Sequence, residues 1–135
     1  MATYTSGPVA GNSSFKPFPD GNLGVRYAKF TATTAIAVND VIQMVDVFAG
    51  ETVHNVKIKT TDLDTGTALV LDVGDGSDTD YYIDGSTIGQ AGGSDELDAN
   101  VAPKTYTADD TIDVLAQVGP GGGGTGDIEI WVTVA

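Results

Sequence analysis

A stretch of strict alternation within residues 52–85 limits what this chain can fold into more than any other feature. From His54 to Thr60, every second residue falls on one side, and this set contains a valine and an isoleucine. The residues between them are polar and include Lys57 and Lys59. A period of two places successive side chains on opposite faces of a β-strand. The pattern therefore predicts a strand with one buried face and one solvated face.

A turn and a second apolar run follow this strand. The sequence DLDTG at residues 62–66 holds the aspartates and the glycine that tight turns favour. Residues 67–73 then return as a strand whose two faces are both apolar, which is typical of a strand covered on both sides. We therefore expect a hairpin at the centre of a β-sandwich.

Similar short strands recur along the chain, with turn residues between them and no amphipathic helix of useful length. The predicted strands are 25–34, 41–48, 52–60, 67–73, 81–83, 104–107, 110–118 and 128–134. Such spacing is typical of antiparallel sandwiches and barrels. The fold class is predicted as an all-β, antiparallel, jelly-roll-like β-sandwich of about eight strands. Residues 85–104 are predicted as a long connection.

The start of the chain has a different character. Residues 1–24 contain seven glycines and prolines, which predicts an extended N-terminal arm, whereas residues 25–135 are predicted as one β-sandwich domain. Phe15 and Phe18 stand in this otherwise polar arm. They need a surface to bury against, either on their own domain or on a neighbouring subunit or partner protein.

The charge is strongly negative and unevenly distributed. The chain has six basic and 19 acidic residues, a net charge of −13, and residues 62–135 hold 15 of the acids but only one base, Lys104. This field disfavours binding to nucleic acid or to anionic membranes. Acidity of this kind chiefly gives solubility. A more specific interpretation is that the near-neutral half binds a partner and the acidic half faces water.

The sequence offers little for catalysis or cofactors. It contains no cysteine, and its one histidine, His54, is interpreted as structural. The segment 119–126, GPGGGGTG, nominally matches a dinucleotide-binding pattern, but an alternating strand follows it rather than the helix that such a site requires. We interpret it as a flexible hairpin loop. The chain is therefore predicted not to be an enzyme and to need no cofactor.

Targeting signals are not predicted either. The first residues lack a basic segment followed by an apolar run, and no apolar stretch is long enough to cross a bilayer. We expect a soluble protein made in a cytoplasm.

Acidic turns offer one candidate metal site. Clustered carboxylate oxygens can hold Ca²⁺, although the spacing does not match an EF-hand. Solvated turns are the favoured interpretation, and a calcium site is the alternative. The candidate ligands are Asp62, Asp64, Asp75, Asp78 and Asp80.

Trp131 is the odd member of the last strand. It shares its parity with Glu129 and Thr133, opposite the isoleucines and valines that would face the core. A large aromatic side chain on a polar face needs a cover. The cover is either the N-terminal arm or a subunit contact.

Residues 62–93 and 106–114 carry a resemblance to a known family. The runs DLDTGTALVLDVGDGSDTDYYIDGSTIGQAGG and YTADDTIDV resemble the capsid decoration, or cement, proteins of tailed bacteriophages. The resemblance covers roughly residues 40–134 and leaves out the arm. It implies a jelly-roll-like sandwich on the outer surface of the virion, bound to the shell of the major capsid protein. It also implies assembly as a trimer or another homo-oligomer, and no catalytic residues.

The residues expected to make these contacts follow from the same reasoning. Phe15, Phe18 and Trp131 would bury apolar area at capsid or subunit contacts, and Lys57 and Lys59 would pair with acidic residues of the capsid. The result would be a structural virion protein that works by adhesion.

A second function class remains open. Sandwich domains often bind sugars through exposed aromatic side chains, for which Tyr81, Tyr82 and Trp131 are candidates. A carbohydrate-binding or calcium-dependent module on a phage head or tail is therefore the alternative. A hydrolase is a third class, for which the sequence singles out no acid pair.

Overall fold

A computed structural model describes residues 2–6 and 23–135 of the chain. This part contains ten strands and a single three-residue 3-10 turn, Ile88–Gln90. The strands are β1 (Thr3–Thr5), β2 (Gly24–Ala32), β3 (Val41–Val47), β4 (Thr52–Thr60), β5 (Val70–Gly74), β6 (Ile83–Ser86), β7 (Gly93–Glu96), β8 (Lys104–Thr105), β9 (Asp110–Val118) and β10 (Gly126–Val134). In this part of the chain no helix is long and apolar enough to cross a lipid bilayer.

The strands form two sheets with nested pairing. The first sheet has the order β1-β3-β9-β5-β6 and the second has the order β2-β10-β4-β7, with β8 also paired to β4. The antiparallel pairs β2/β10, β3/β9, β4/β7 and β5/β6 arise when one long antiparallel hairpin is rolled up so that its pairs alternate between two sheets. That arrangement is a jelly roll. The predicted all-β, jelly-roll-like sandwich is therefore confirmed.

The core lies between the two sheets. Alternation places one side chain in two on the inner face of each long strand, and these positions hold valines, isoleucines and leucines that are almost fully buried. Val56 and Ile58 of β4 meet Ile130 and Val132 of β10 in register, and all four are fully buried. Each such side chain contributes about 1.5–3 kcal/mol when it leaves water.

Both hairpins predicted from the sequence are wrong. β4 lies in the second sheet and β5 in the first, so residues 61–69 cross between the sheets and do not form a hairpin turn. The glycine-rich residues 119–125 likewise cross from β9 to β10. Alternation specifies which face of a strand is buried, but it does not specify the neighbouring strand. In a jelly roll, consecutive strands mostly belong to opposite sheets.

The predicted face of His54 is also wrong. The pairing of β4 with β10 changes register between Thr133 and Val134, so that Asn55 and Val53 become their respective partners. This irregularity shifts the parity at the start of β4. Val53 is therefore buried and His54 is exposed, although His54 shares the parity of the buried Val56.

Strands β1 and β7 lie in segments that were not predicted to be strands. β1 pairs in parallel with the start of β3, and Tyr4 packs against Phe30 with ring centroids 5.5 Å apart. β7 has the polar sequence GSDE and pairs with β4 through its backbone. A strand that pairs by backbone alone needs no hydrophobic alternation, so the sequence held no signal for it. The predicted strand at 104–107 is limited to β8.

An ion pair within the sandwich ties β2 to the turn before β4. The guanidinium of Arg26 is buried and binds both carboxylate oxygens of Glu51, and it donates to the carbonyl oxygen of Asp46 at 3.1 Å. Its Cζ also lies 5.3 Å from the centre of the Phe48 ring. A buried charge is tolerated only with partners of this kind. The arrangement fixes the end of the sandwich at which β2 begins.

Candidate functional site

The outer face of the second sheet gathers most of the residues that the sequence singled out. Two cross-strand rows run over β2, β10, β4 and β7, because β10 lies between β2 and β4 and its residues from Ile128 onward have a partner on each. One row is Tyr27–Trp131–Lys57–Glu96 and the other is Lys29–Glu129–Lys59–Ser94. We call this surface the lysine–aromatic face, comprising Val25, Tyr27, Lys29, Lys57, Lys59, Glu129 and Trp131.

Trp131 lies half-buried at the centre of this face. The Tyr27 ring packs beside it with centroids 5.2 Å apart at an angle of 50°, and the Lys57 ammonium lies 5.8 Å from the tryptophan ring centre. The Tyr27 hydroxyl donates to Glu129 at 2.6 Å, and this hydrogen bond raises the pKa of Tyr27. Tilted aromatic pairs and cation–π contacts of this kind hold the rings in defined positions. Trp131 therefore lies among residues of its own sheet, and Lys57 is one of its neighbours.

The distribution of basic residues makes this face distinctive. Arg26 and Lys104 are engaged by Glu51 and Asp75, whereas the three other lysines of the described chain all project from the lysine–aromatic face. Lys29 lies 3.5 Å from Asp127. Within residues 2–6 and 23–135, no carboxylate lies within 4.0 Å of the Lys57 or Lys59 ammonium group. Two positive charges are thus available at the surface of a chain whose net charge is −13.

The same face also exposes apolar side chains. Leu23, Val25 and Tyr27 follow one another on one side of β2 and its start, with exposed fractions of 62%, 57% and 43%. Val25 and Tyr27 lie opposite Thr133 and Trp131 of the neighbouring strand, respectively. Isolated exposed apolar residues are common on protein surfaces, but a row of three next to a tryptophan is typical of a contact surface.

Asp64, a candidate calcium ligand, is instead the anchor of two loops. Its carboxylate is buried and accepts backbone hydrogen bonds from its own loop and from the glycine-rich loop. The donors are Gly66 at 2.7 Å, Ala68 at 2.8 Å, Leu69 at 2.8 Å, Gly121 at 2.9 Å and Gly122 at 3.2 Å. Burial by itself would raise the pKa of Asp64, but these donors stabilise the carboxylate and lower its pKa well below the usual range.

The approach of these two loops explains part of the glycine-rich sequence. A Cβ atom at Gly66 would lie 3.3 Å from the Asp64 Oδ1 atom and 3.4 Å from the Gly121 Cα atom. Glycine lets the backbones come close enough for their N–H groups to reach the carboxylate. The run at 119–124 is therefore a loop closely packed against its neighbour.

Both carboxylate oxygens of Asp75 likewise accept hydrogen bonds from donors within the chain. Asp75 is fully buried; its Oδ1 atom accepts from the Ser77 backbone and hydroxyl, and its Oδ2 atom accepts from Lys104 at 2.6 Å and Tyr106 at 2.8 Å. Burial opposes ionisation, but Lys104 and Tyr106 outweigh it and lower the pKa of Asp75 to about 2. The carboxylate joins the acidic loop after β5 to the segment around β8.

The five candidate calcium ligands do not converge in the described structure. Asp62 accepts a local hydrogen bond from the Asp64 backbone, and Asp78 and Asp80 are exposed. Over the described ranges, no group of three or more histidine or carboxylate side chains is placed to hold a metal ion. The acidic turns are explained by the conformational role of aspartate in turns and by the two buried carboxylates.

A chain of hydroxyl groups extends from Asp75 into the core, and it supplies one prediction. Because the Tyr106 proton goes to Asp75, the Tyr106 oxygen accepts from Tyr82 at 2.5 Å. Tyr82→Phe should cost about 1 kcal/mol of unfolding free energy by removing this bond. Tyr81→Phe, which removes an exposed bond to Ala102, should cost less than about 0.5 kcal/mol. Urea unfolding of both variants measures the difference; equal losses would contradict this role of the buried chain.

Two surface cavities lie away from the lysine–aromatic face. One of about 580 Å³ is lined by residues 35–38, 118–120, 122 and 123 and presents no ionisable side chain. The other, of about 250 Å³, lies beside Lys104 and Tyr106 and is bordered by Asp109 and Asp110. Neither is lined by the residues that the sequence predicted as contacts. Phe15 and Phe18, also predicted as contacts, lie outside the described residues.

Comparisons with known proteins identify the fold. No protein-family profile and no curated protein sequence matches the chain. Solved structures do match. One chain of the capsid of Ralstonia phage GP4 aligns with a TM-score of 0.86 and 24% identity, over 99% of this chain and 97% of that one. A chain of the cyanophage Pam1 capsid asymmetric unit aligns with a TM-score of 0.75 and 23% identity, over 92% and 94%.

A third match is more distant. A chain of the acid-stable capsid of Helicobacter pylori bacteriophage KHP30 aligns with a TM-score of 0.56 and 13% identity, over 82% of this chain and 86% of that one. The jelly roll described above is therefore a fold found in phage capsids.

Proposed function

We propose that this chain is a structural protein of a tailed-phage virion, which decorates the outer surface of the capsid by binding the shell formed by the major capsid protein. The observation that carries the proposal is the fold, which matches a capsid chain over almost the full length of both chains. The decorating role itself comes from the resemblance of residues 62–93 and 106–114 to cement proteins.

The charge supports an outward position. A shell packed with nucleic acid is negatively charged inside, and a protein of net charge −13 would be repelled there. On the outer surface the same charge keeps the particle soluble. A rigid sandwich that bridges neighbouring capsid subunits would resist their separation without any chemical step.

The proposed contacts are those singled out by their residue types. Lys57, Lys59 and Trp131 share the lysine–aromatic face, and Phe15 and Phe18 would add apolar anchors from the arm. A single exposed ion pair contributes only about 0–1 kcal/mol. Retention on the shell would therefore depend on several linked contacts, which favours a homo-oligomer, and the resemblance to cement proteins suggests a trimer.

Co-sedimentation tests this function. Shells are assembled from the major capsid protein encoded in the same genome, mixed with the purified protein, and separated from free protein on a density gradient. We expect the protein to move with the shells and to appear as added density on their outer surface in electron micrographs. Protein that stays at the top of the gradient, or density inside the shell, would refute the proposal. Light scattering of the free protein tests the trimer.

The alternative of a carbohydrate-binding or calcium-dependent module has less support. Tyr82 is buried and Tyr81 packs against it edge to face with centroids 5.0 Å apart, so these two rings offer no open platform for a sugar. A ligand that binds only the folded state raises the melting temperature. A rise on adding CaCl₂, or binding on a glycan array, would favour this module.

A further inference from the structure

We infer that the lysine–aromatic face is the surface that contacts the shell, and that it recognises an acidic protein surface presenting at least one apolar side chain. This inference rests on the proposed function and names the partner chemistry of that contact. It adds Val25, Tyr27 and Lys29 to the residues that the sequence suggested.

The charge of the face indicates an acidic partner. Lys57 and Lys59 lie two residues apart on β4, so their backbones are separated by about 6.6 Å and their side chains point the same way. Neither has a carboxylate within 4.0 Å in the part of the chain that the structure describes. Two neighbouring ammonium groups therefore remain for carboxylates supplied from outside.

The carboxylates of the face are already engaged on the side of β2. Glu129 accepts from the Tyr27 hydroxyl, and Asp127 accepts from Thr31 at 2.7 Å and lies 3.5 Å from Lys29. These two negative charges are thus held on the side of β2 and Glu96 lies on β7 at the other edge, whereas the available positive charges lie between them on β4. An approaching acidic surface would be attracted to the two lysines of β4 and would contact the uncharged rings of Tyr27 and Trp131 beside them.

The apolar part of the face indicates what accompanies the acidic groups. Val25 and Tyr27 are exposed and Trp131 is half-exposed, and they form one patch across β2 and β10. Tryptophan and tyrosine are enriched among the residues that contribute most to binding energy at interfaces. They make this contribution when a partner removes their rings from water. We expect one apolar side chain of the shell protein to pack on the Tyr27–Trp131 pair.

Two other partners fit this face less well. A polyanion such as DNA would meet Glu129, Asp127 and Glu96 among the lysines, as well as the field of a chain with a charge of −13. A second copy of the chain that presented the same face would place lysine against lysine, and like charges facing each other across an interface are unfavourable. A surface of the shell protein that carries carboxylates avoids this repulsion.

Binding of variants to shells tests the inference. Lys57→Gln with Lys59→Gln removes two positive charges, and we expect shell affinity to fall roughly tenfold, with less dependence on NaCl concentration than wild type shows. Trp131→Ala should lower affinity at least about tenfold. Val25→Ser changes an exposed side chain and tests the same patch without disturbing the core; it should reduce affinity by roughly threefold.

The matched control changes the net charge by the same amount elsewhere. Thr107→Glu with Ala108→Glu adds two negative charges at exposed positions near the end of the sandwich, and it should bind shells as wild type does. Thermal melting shows whether each variant is folded.

The outcomes separate the inference from the function on which it rests. If wild type binds and both the lysine and the patch variants bind equally well, the face is not the contact and the inference is wrong, while the proposed function stands. If face variants instead dissociate an oligomer of the free protein and leave shell binding unchanged, the partner is a second copy. If wild type does not bind shells at all, both the function and the inference fail.

Discussion

Replacing Asp64 by alanine should lower the melting temperature on the order of 10 °C, since five backbone donors around a buried carboxylate lose their acceptor at once. The carboxylate accepts backbone hydrogen bonds from five residues of two loops that are far apart in the sequence. The bond from Leu69 is buried, and a buried N–H group without an acceptor is costly. Differential scanning calorimetry at neutral pH measures the loss.

Asp64→Asn should also destabilise the fold, although less, because one of its two terminal atoms becomes a donor facing other donors. Asp62→Asn is the matched control. Asp62 is exposed, and the amide oxygen of the asparagine that replaces it can still accept the local bond from the Asp64 backbone. The melting temperature should therefore change by only about 1–2 °C. Equal losses for Asp62→Asn and Asp64→Asn would show that the two loops are held together by other contacts.

Replacing Asp113 by asparagine should stabilise the protein at pH 8 by about 1–2 kcal/mol and leave it nearly unchanged near pH 4. Asp113 of β9 is buried, and burial raises its pKa to about 7; the negative charges of Asp110 and Asp75 add to the rise, while the hydrogen bond from Thr111 opposes it. Asparagine resembles the protonated carboxyl and keeps an oxygen to accept that bond.

The direction of the pH dependence follows from proton uptake. The unfolded carboxyl has a pKa of about 3.9 and the folded one about 7, so folding takes up a proton between these values. The stabilisation from this group is complete below about pH 4 and is lost as the pH rises to about 7. The full difference corresponds to at most about 4 kcal/mol, which solvent screening reduces.

Urea unfolding between pH 4.5 and pH 8 measures this effect. Over this interval the stability of wild type should fall with a steeper slope than that of Asp113→Asn. A slope should persist in the variant, because burial also raises the pKa of Asp72. Asp95→Asn controls for the loss of one negative charge from the chain. If Asp113→Asn is less stable than wild type at pH 8, the ionised Asp113 carboxylate does not destabilise the folded protein, and the prediction is wrong.

The faces of the long strands were predictable because they depend only on local alternation. Ile58 and Ile130 are buried, Lys57 and Lys59 are exposed, and Trp131 lies on the outer face, as the pattern indicated. The same reasoning indicated a sandwich of about eight strands. These features follow from the period of two in a strand and need no knowledge of which strands are neighbours.

The pairing of strands and the role of Asp64 were not predictable in this way. Tyr27 and Lys57 flank Trp131 only because β2 and β4 both pair with β10. The alternation of residues within a strand does not indicate which distant strand it pairs with. Asp64 and Asp75 have the sequence context of turn residues, and only the folded chain shows that their carboxylates are buried. The lysine–aromatic face is thus assembled from three separate segments of the sequence.

The positions of β9 and β10 have a consequence for biosynthesis. β10 lies between β2 and β4, and β9 lies between β3 and β5, so the middle of each sheet comes from the last strands of the sequence. While residues 110–134 are still within the ribosome, the earlier strands lack their main neighbours and expose unpaired edges. Such edges are prone to aggregation during synthesis. Residues 62–109, which emerge before these strands, are strongly acidic. Their negative charge makes the emerging chains repel one another, which would protect them from aggregation until β9 and β10 insert.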